Sequence, residues 1–242
     1  MFFYKLLIVL ALNLLISAPT FASSIDKKDL LFPVDTALLL KGEVHYALDV
    51  VSVKKIKIKY PQFSRLDTQA FMKEPKIKLV VSKSAYIVSK PVGFFDHENV
   101  ISESFNSHFM GDQKVKKLNK HDFKITVPGK DGYSYKMKTY FDSDEVSTLP
   151  HSKAVRAVAE IKKLDVISQS AASTIFREFT DFSKYTIGGS QVTTIIPLKE
   201  NKTLIINYSL TAVKKYFAIE NLLINNFRLE SESQKRLINS FK

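Results

Sequence analysis

The sequence predicts an α+β protein in which an amphipathic central helix and a C-terminal helix pack on one side of an antiparallel sheet. Two observations support this class. Pairs of apolar segments flank short polar connections, which is typical of antiparallel hairpins. Two other stretches place apolar residues three or four positions apart, as amphipathic helices do. The predicted order of elements is therefore strands, helix, strands, helix.

The first strands are predicted within Lys41 to Tyr60 and Lys76 to Ser89, which are rich in β-branched and aromatic residues. Near the end of the first stretch, lysines alternate with apolar residues: Lys55, Ile56, Lys57, Ile58, Lys59 and Tyr60. A period of two places the lysines on one face of a half-buried strand and the apolar residues on the other. Residues 94–120 are predicted to be a long loop with short helical turns.

Two hairpins are predicted further along the chain. His121 to Val127 and Tyr133 to Phe141 flank a connection rich in glycine and charge, and in the second arm aromatic residues alternate with Lys136 and Lys138. Gln191 to Leu198 and Thr203 to Val213 form the other pair, whose apolar content indicates a central place in the sheet.

The helical predictions cover Ser152 to Phe179 and the C-terminus. In the first, Ile175, Phe176 and Phe179 belong to the apolar stripe. Gly188 and Gly189 are interpreted as the point where the chain leaves this helix in the left-handed backbone conformation. In the second, a helix through Phe227 precedes a final helix that has Glu230 and Glu232 in its first turn. A helix packed against such a sheet is similar to the layout of the helix-grip lipid-binding folds, including the START domains, and the similarity is one of element order.

The first 22 residues are predicted to be a secretory signal peptide. Lys5 precedes an apolar run from Leu6 to Ile16, which is shorter than the roughly 20 residues of a spanning helix. Pro19 then breaks the helix, and small residues stand where a signal peptidase requires them, ending at Ala22. The mature protein is expected to begin near Ser23, to lie in the periplasm or outside the cell, and to have no transmembrane segment.

Composition indicates that residues 23–242 form a single folded domain. Hydrophobic residues make up 45% and charged residues 25% of the chain, with only 7 glycines, which argues against disorder. The chain has no cysteine, which excludes disulfides, thiolate metal sites and a lipidated N-terminal cysteine. The fold must therefore be stabilised by its core alone.

The formal net charge of +12 predicts an anionic partner, and outside the cytoplasm anionic lipid or another envelope component is favoured over nucleic acid. The candidate residues for binding a ligand or an anionic surface are the lysines on predicted strand faces: Lys55, Lys57, Lys59, Lys136 and Lys138. The alternative is that these lysines only make the surface soluble.

No catalytic residue, metal site or cofactor is predicted. The chain has no Gly-x-Ser-x-Gly or His-Glu-x-x-His motif. Asp96, His97 and Glu98 place three metal-ligand types together, but consecutive residues more often form a solvated turn. Three hypotheses remain: a binding protein for an anionic amphipathic or lipid-like ligand, an interaction or structural protein of the cell envelope without catalytic activity, and a hydrolase without a recognisable motif.

Overall fold

The structure is a computed structural model that describes residues 36–60, 63, 71, 77–110, 112–128, 133–141, 173–180, 186–214 and 219–241. The predicted signal peptide lies outside the described residues, as does the part of the predicted central helix that precedes residue 173.

The described residues form one antiparallel sheet of eight strands. The strands are β1 (His45–Val51), β2 (Ile77–Val88), β3 (Lys114–Lys117), β4 (Asp122–Thr126), β5 (Ser134–Phe141), β6 (Ser173–Thr180), β7 (Thr186–Leu198) and β8 (Lys202–Lys214). Their order is β1-β2-β8-β7-β6-β5-β4-β3. The predicted α+β class and both predicted hairpins are confirmed, and β7 and β8 are central strands as expected.

Five α-helices are described alongside the sheet. They are α1 (Thr36–Leu40), α2 (Ile56–Lys59), α3 (His97–Val100), α4 (Glu103–Phe109) and α5 (Ile219–Ser240). Short 3-10 turns precede α2 at Val53–Lys55 and α3 at Val92–Phe95. Among the described residues, no helix combines the length and the apolar character needed to cross a bilayer.

The two faces of the sheet are covered by different parts of the chain. The C-terminal helix α5 packs on one face, here called the inner face, where Ile238 joins a cluster with Ile205 and Phe105. On the opposite, outer face, Ile56 and Tyr60 pack in a cluster with sheet residues that include Val192. Because both faces of the central strands are covered, β7 and β8 are buried along most of their length.

Two features of the β7–β8 pair explain its local sequence. Glu200 and Asn201 have φ of +60° and +53° in the connecting turn, as the tight turns that match strand twist require. In β7, a Cβ on Gly189 would lie 2.6 Å from the carbonyl oxygen of Leu210 on β8, so glycine allows this close approach. The prediction that the two glycines end a helix is therefore wrong, since both lie in a strand.

The predicted helix over Ser152 to Phe179 is wrong at its C-terminal end, where residues 173–180 form β6. Phe176 and Phe179 are both buried but lie on opposite faces of the sheet. Phe176 packs in the outer-face cluster, whereas Phe179 packs with Met137 on the inner face. Apolar residues on both faces of a buried strand produce the three-residue spacings that also mark a helix. The predicted amphipathic helix is thus replaced, in the described part, by a strand that buries Phe176 on one face and Ile175 and Phe179 on the other.

Two further boundaries differ from the prediction. The C-terminal region is one continuous helix from Ile219 to Ser240, so Glu230 lies inside it and not in a first turn. No glycine or proline interrupts this stretch, and the predicted break therefore has no residue to cause it. The strand predicted to run to Tyr60 ends at Val51, and the lysine-rich residues that follow form the 3-10 turn and α2.

The helical form of that segment follows from which residues it buries. Ile56 and Tyr60, four positions apart, are 0% and 4% exposed, whereas Ile58 between them is 72% exposed. A strand would place Ile58 on the same side as Ile56 and Tyr60, but one helical turn brings only the outer two residues together.

Candidate functional site

A row of polar side chains crosses the inner face of the sheet. Its members lie directly opposite one another on β5, β6, β7, β8 and β2: Thr139, Arg177, Gln191, Ser209 and Ser82. Apart from Ser209, which is partly buried, all are buried. A polar row across five buried strands breaks the usual rule that a face covered by a helix is apolar. We call this set the inner polar row.

Hydrogen bonds beside this row connect the sheet to α5. The Asn207 amide accepts from the Thr193 hydroxyl at 2.6 Å and donates to the Tyr86 hydroxyl at 3.2 Å. The side-chain oxygen of Gln234 on α5 accepts from Tyr86 and from Asn207, each at 3.4 Å. The Gln234 amide then donates to Glu230 at 3.2 Å. These bonds satisfy buried polar groups and set the rotation of α5 over the sheet.

Glu230 belongs to α5 and is partly buried, and its carboxyl accepts the hydrogen bond from Gln234. Burial there raises its pKa to about 8, so this carboxyl is mostly protonated at neutral pH. Tyr86 is neutral as well, and burial raises its pKa further above the ordinary value of 10.0. The inner face therefore holds two acidic groups in their uncharged forms.

Arg177 is the buried cation of the inner polar row and is 2% exposed. Its Nη1 donates to the side-chain oxygen of Gln191 at 3.3 Å, and its guanidinium carbon lies 5.2 Å from the centre of the Phe109 ring. Desolvation lowers its pKa to about 10, which leaves it charged at neutral pH. Its Nε is buried with no hydrogen-bond partner among the described residues, and so is the hydroxyl oxygen of Thr139.

On the outer face of β3, β4 and β5, three lysines stand side by side. Lys116 lies opposite Lys124, which lies opposite Lys136, and all three are exposed. We call these residues the outer lysine row. Lys138 is exposed on the same face, with its Nζ 4.0 Å from a carboxylate oxygen of Asp122. The predicted alternation in β5 is therefore confirmed at Lys136 and Lys138.

The other predicted lysines belong to the 3-10 turn and α2. Lys55 and Lys57 are exposed, whereas Lys59 is partly buried and its Nζ lies 2.7 Å from a carboxylate oxygen of Asp49 on β1. They do not form a strand face, because the segment is helical. Since α2 packs on the outer face of the sheet through Ile56, its exposed lysines lie on the same side of the sheet as the outer lysine row.

The residues Asp96, His97 and Glu98 form the start of a short helix. The Asp96 carboxylate caps α3 by accepting from the backbone N–H of Asn99 at 2.7 Å. Among the described residues, no group of three histidine or acidic side chains could hold a metal ion. The cap explains why an aspartate precedes this turn.

Sequence reasoning missed Arg177 and the role of Glu230. Arg177 stands between Ile175 and Phe179 at a period of two, so an interpretation of this segment as a strand would have placed it on an apolar face. A cation on such a face is the signal that could have indicated the site. The burial of Glu230 depends on how α5 lies on the sheet, which no local pattern predicts.

No protein-family model matches this chain, and no curated protein matches it in sequence. Solved structures give distant likenesses. Ara h 8.0201 is 9% identical with a TM-score of 0.40, over 66% of this chain and 95% of that one. A truncated norcoclaurine synthase from Thalictrum flavum is 11% identical with a TM-score of 0.41, over 70% of this chain and 99% of that one. The human StarD13 lipid transfer and protein localization domain is 11% identical with a TM-score of 0.37, over 74% of this chain and 96% of that one. Likenesses at this level identify neither a family nor a ligand.

Proposed function

We propose that this protein is an exported binding protein whose basic outer side engages anionic, lipid-like molecules at the surface of a membrane. The outer lysine row is the observation that carries the proposal. Side chains directly opposite on neighbouring strands have Cβ atoms about 4.5–5.5 Å apart, and like charges at that separation destabilise the sheet. Neither Lys116 nor Lys124 forms an ion pair with a described residue. A layer of phosphate groups would compensate this repulsion.

The distribution of charge over the rest of this side supports the same partner. Lys55 and Lys57 lie on the segment that covers the outer face, and Lys138 lies beside the outer lysine row. Six exposed lysines on one side favour a flat anionic surface over a single small anion. The N-terminal sequence supports export, which would bring this side into contact with envelope lipids.

The experiment compares vesicle binding by two variants that lose the same charge. One changes Lys116, Lys124 and Lys136 to Gln, and the matched control changes Lys41, Lys199 and Lys202 to Gln, none of which lies in β3, β4 or β5. Co-sedimentation uses phosphatidylcholine vesicles with and without phosphatidylglycerol. We expect the first variant to lose about 1 kcal/mol of binding free energy per lysine, and the control to bind anionic vesicles nearly as well as the unchanged protein.

High salt should remove most of the difference, because exposed charges are screened beyond a Debye length of about 8 Å at physiological ionic strength. Equal losses in the two variants would contradict a role for this particular surface. An unchanged protein that binds no anionic vesicles would contradict the proposal and favour an interaction protein of the cell envelope.

A further inference from the structure

The guanidinium of Arg177 has spare hydrogen-bonding capacity inside the protein. An arginine side chain has five N–H donors, and the described contacts use one of them, on Gln191. Its Nε is buried without a partner. Buried donors without partners are costly, so native proteins rarely leave them unless another group completes the site.

The charge of Arg177 is also uncompensated by its described neighbours. No carboxylate among the described residues forms an ion pair with it. The Phe109 ring offers only partial compensation through a cation–π contact at 5.2 Å. Among the described residues, Arg177 thus keeps a positive charge without a carboxylate partner in a region from which water is largely excluded.

Thr139 supplies a second polar group at the same place. It lies directly opposite Arg177 in the β5–β6 pair, and its hydroxyl oxygen is buried without a described partner. Both side chains are on the inner face, where their Cβ atoms are about 4.5–5.5 Å apart. A hydroxyl and a guanidinium at that separation can donate to the same anionic group.

Apolar side chains surround this polar pair. Ile175 and Phe179 are the residues of β6 on either side of Arg177 on the inner face, and both are buried. Met137 precedes Thr139 on the inner face of β5 and is also buried. A molecule whose charged group met Arg177 would replace protein atoms that now cover these side chains, which favours an amphipathic molecule over an inorganic ion.

We propose that Arg177, Thr139 and Gln191 form an interior binding site for the singly charged anionic group of an amphipathic ligand, either a carboxylate or a phosphodiester, whose hydrocarbon part lies against the apolar inner face. One buried cation matches one negative charge, and the planar guanidinium can bind two oxygens of either group. This site lies on the face of the sheet opposite the outer lysine row. It requires no participation of those lysines.

Calorimetric titration of the purified protein tests the proposal with three 12-carbon probes: dodecanoate, dodecyl methyl phosphate and dodecanol. We expect at least one of the two anions to bind about tenfold or more tightly than the alcohol, and the stronger anion identifies the charged group. Arg177→Met should reduce the affinity for that anion to the level of dodecanol. Thr139→Val, which keeps the side-chain shape, should weaken anion binding several-fold.

Thermal stability of the variants distinguishes a ligand-binding role of Arg177 from a purely structural one. Replacing a buried charge by an apolar side chain of similar length is often neutral or stabilising, so Arg177→Met should keep its circular dichroism spectrum and melt at the same or a higher temperature. Lys199→Gln, an exposed change in the β7–β8 turn, is the control for lost positive charge and should leave the anion preference intact.

Anions that bind no tighter than dodecanol, or an anion preference retained by Arg177→Met, would overturn the proposal. Because vesicle binding depends on the outer lysines, either proposal can fail without the other.

Discussion

Thr139 lies directly opposite Arg177 on the inner face of the sheet. Each residue has a buried polar atom without a hydrogen-bond partner among the described residues. The two strands are adjacent in the sheet although β5 and β6 are separated by more than thirty residues of sequence. Since unsatisfied buried groups cost free energy, their pairing at one place indicates a site that a ligand completes. Neither residue belongs to a recognisable sequence motif.

Phe176→Ala should lower the free energy of unfolding by about 3–5 kcal/mol, because it removes a buried ring and leaves a cavity. Phe176 is 4% exposed and packs in the outer-face cluster, with its ring centre 6.3 Å from that of Tyr140. Denaturant melts measure the change. Ile58→Ala, at a residue that is 72% exposed, is the control and should alter stability by less than about 0.5 kcal/mol. A loss below about 1 kcal/mol for Phe176→Ala would contradict its placement in the core.

Gly189→Ala should destabilise the protein by about 1–3 kcal/mol, because a Cβ at this position would lie 2.6 Å from the carbonyl oxygen of Leu210. Relief of this overlap requires separation of two central strands. Gly93→Ala is the matched control, since a Cβ there meets no atom within 4 Å. Thermal melts that show equal stability for the two variants would contradict the close approach of β7 to β8.

Glu230 should make stability depend on pH between its ordinary and its raised pKa. Because burial raises the pKa from 4.5 to about 8, the folded state keeps a proton that the unfolded state releases in this window. The free energy of unfolding should therefore fall as the pH rises from about 4.5 to 8, by up to about 1.4 kcal/mol per pH unit. Glu230→Gln, which is neutral throughout, should remove this slope.

Denaturant melts at several pH values measure the slope for both proteins. Glu43→Gln changes an exposed carboxyl and serves as the control, which should keep the slope of the unchanged protein. A slope that persists in Glu230→Gln would assign the pH dependence to another group.

Ala22→Arg should block removal of the predicted signal peptide, because a long cation does not fit the pocket that selects a small last residue. N-terminal sequencing of the exported unchanged protein should begin at or near Ser23. Ala11→Leu keeps the run apolar and should be processed normally. Recovery of an intact Met1 in the exported fraction would contradict the predicted export.

Local patterns predicted the elements whose neighbours in space are also neighbours in sequence. The hairpin that contains Lys136 was predicted because its alternation depends only on one buried face and one solvated face. The segment with Lys55 and Lys57 was assigned wrongly, since alternation over six residues does not show whether Ile58 is buried. Residues 173–180 were assigned to a helix because Phe176 is buried on the face opposite Ile175 and Phe179, which gives the apolar residues three- and four-residue spacings.

The sequence by itself determined the α+β class, both hairpins, the C-terminal helix and the alternation that exposes Lys136 and Lys138, because each depends on short-range periodicity and turn residues. Only the tertiary structure decided that Lys116, Lys124 and Lys136 stand in one row, that Arg177 is buried on the inner face, and that desolvation raises the pKa of Glu230 on α5. These placements come from strand order and register, which are set by the packing of whole faces. Whether a lysine or arginine on a strand is buried or exposed depends on which face of the sheet its side chain lies on.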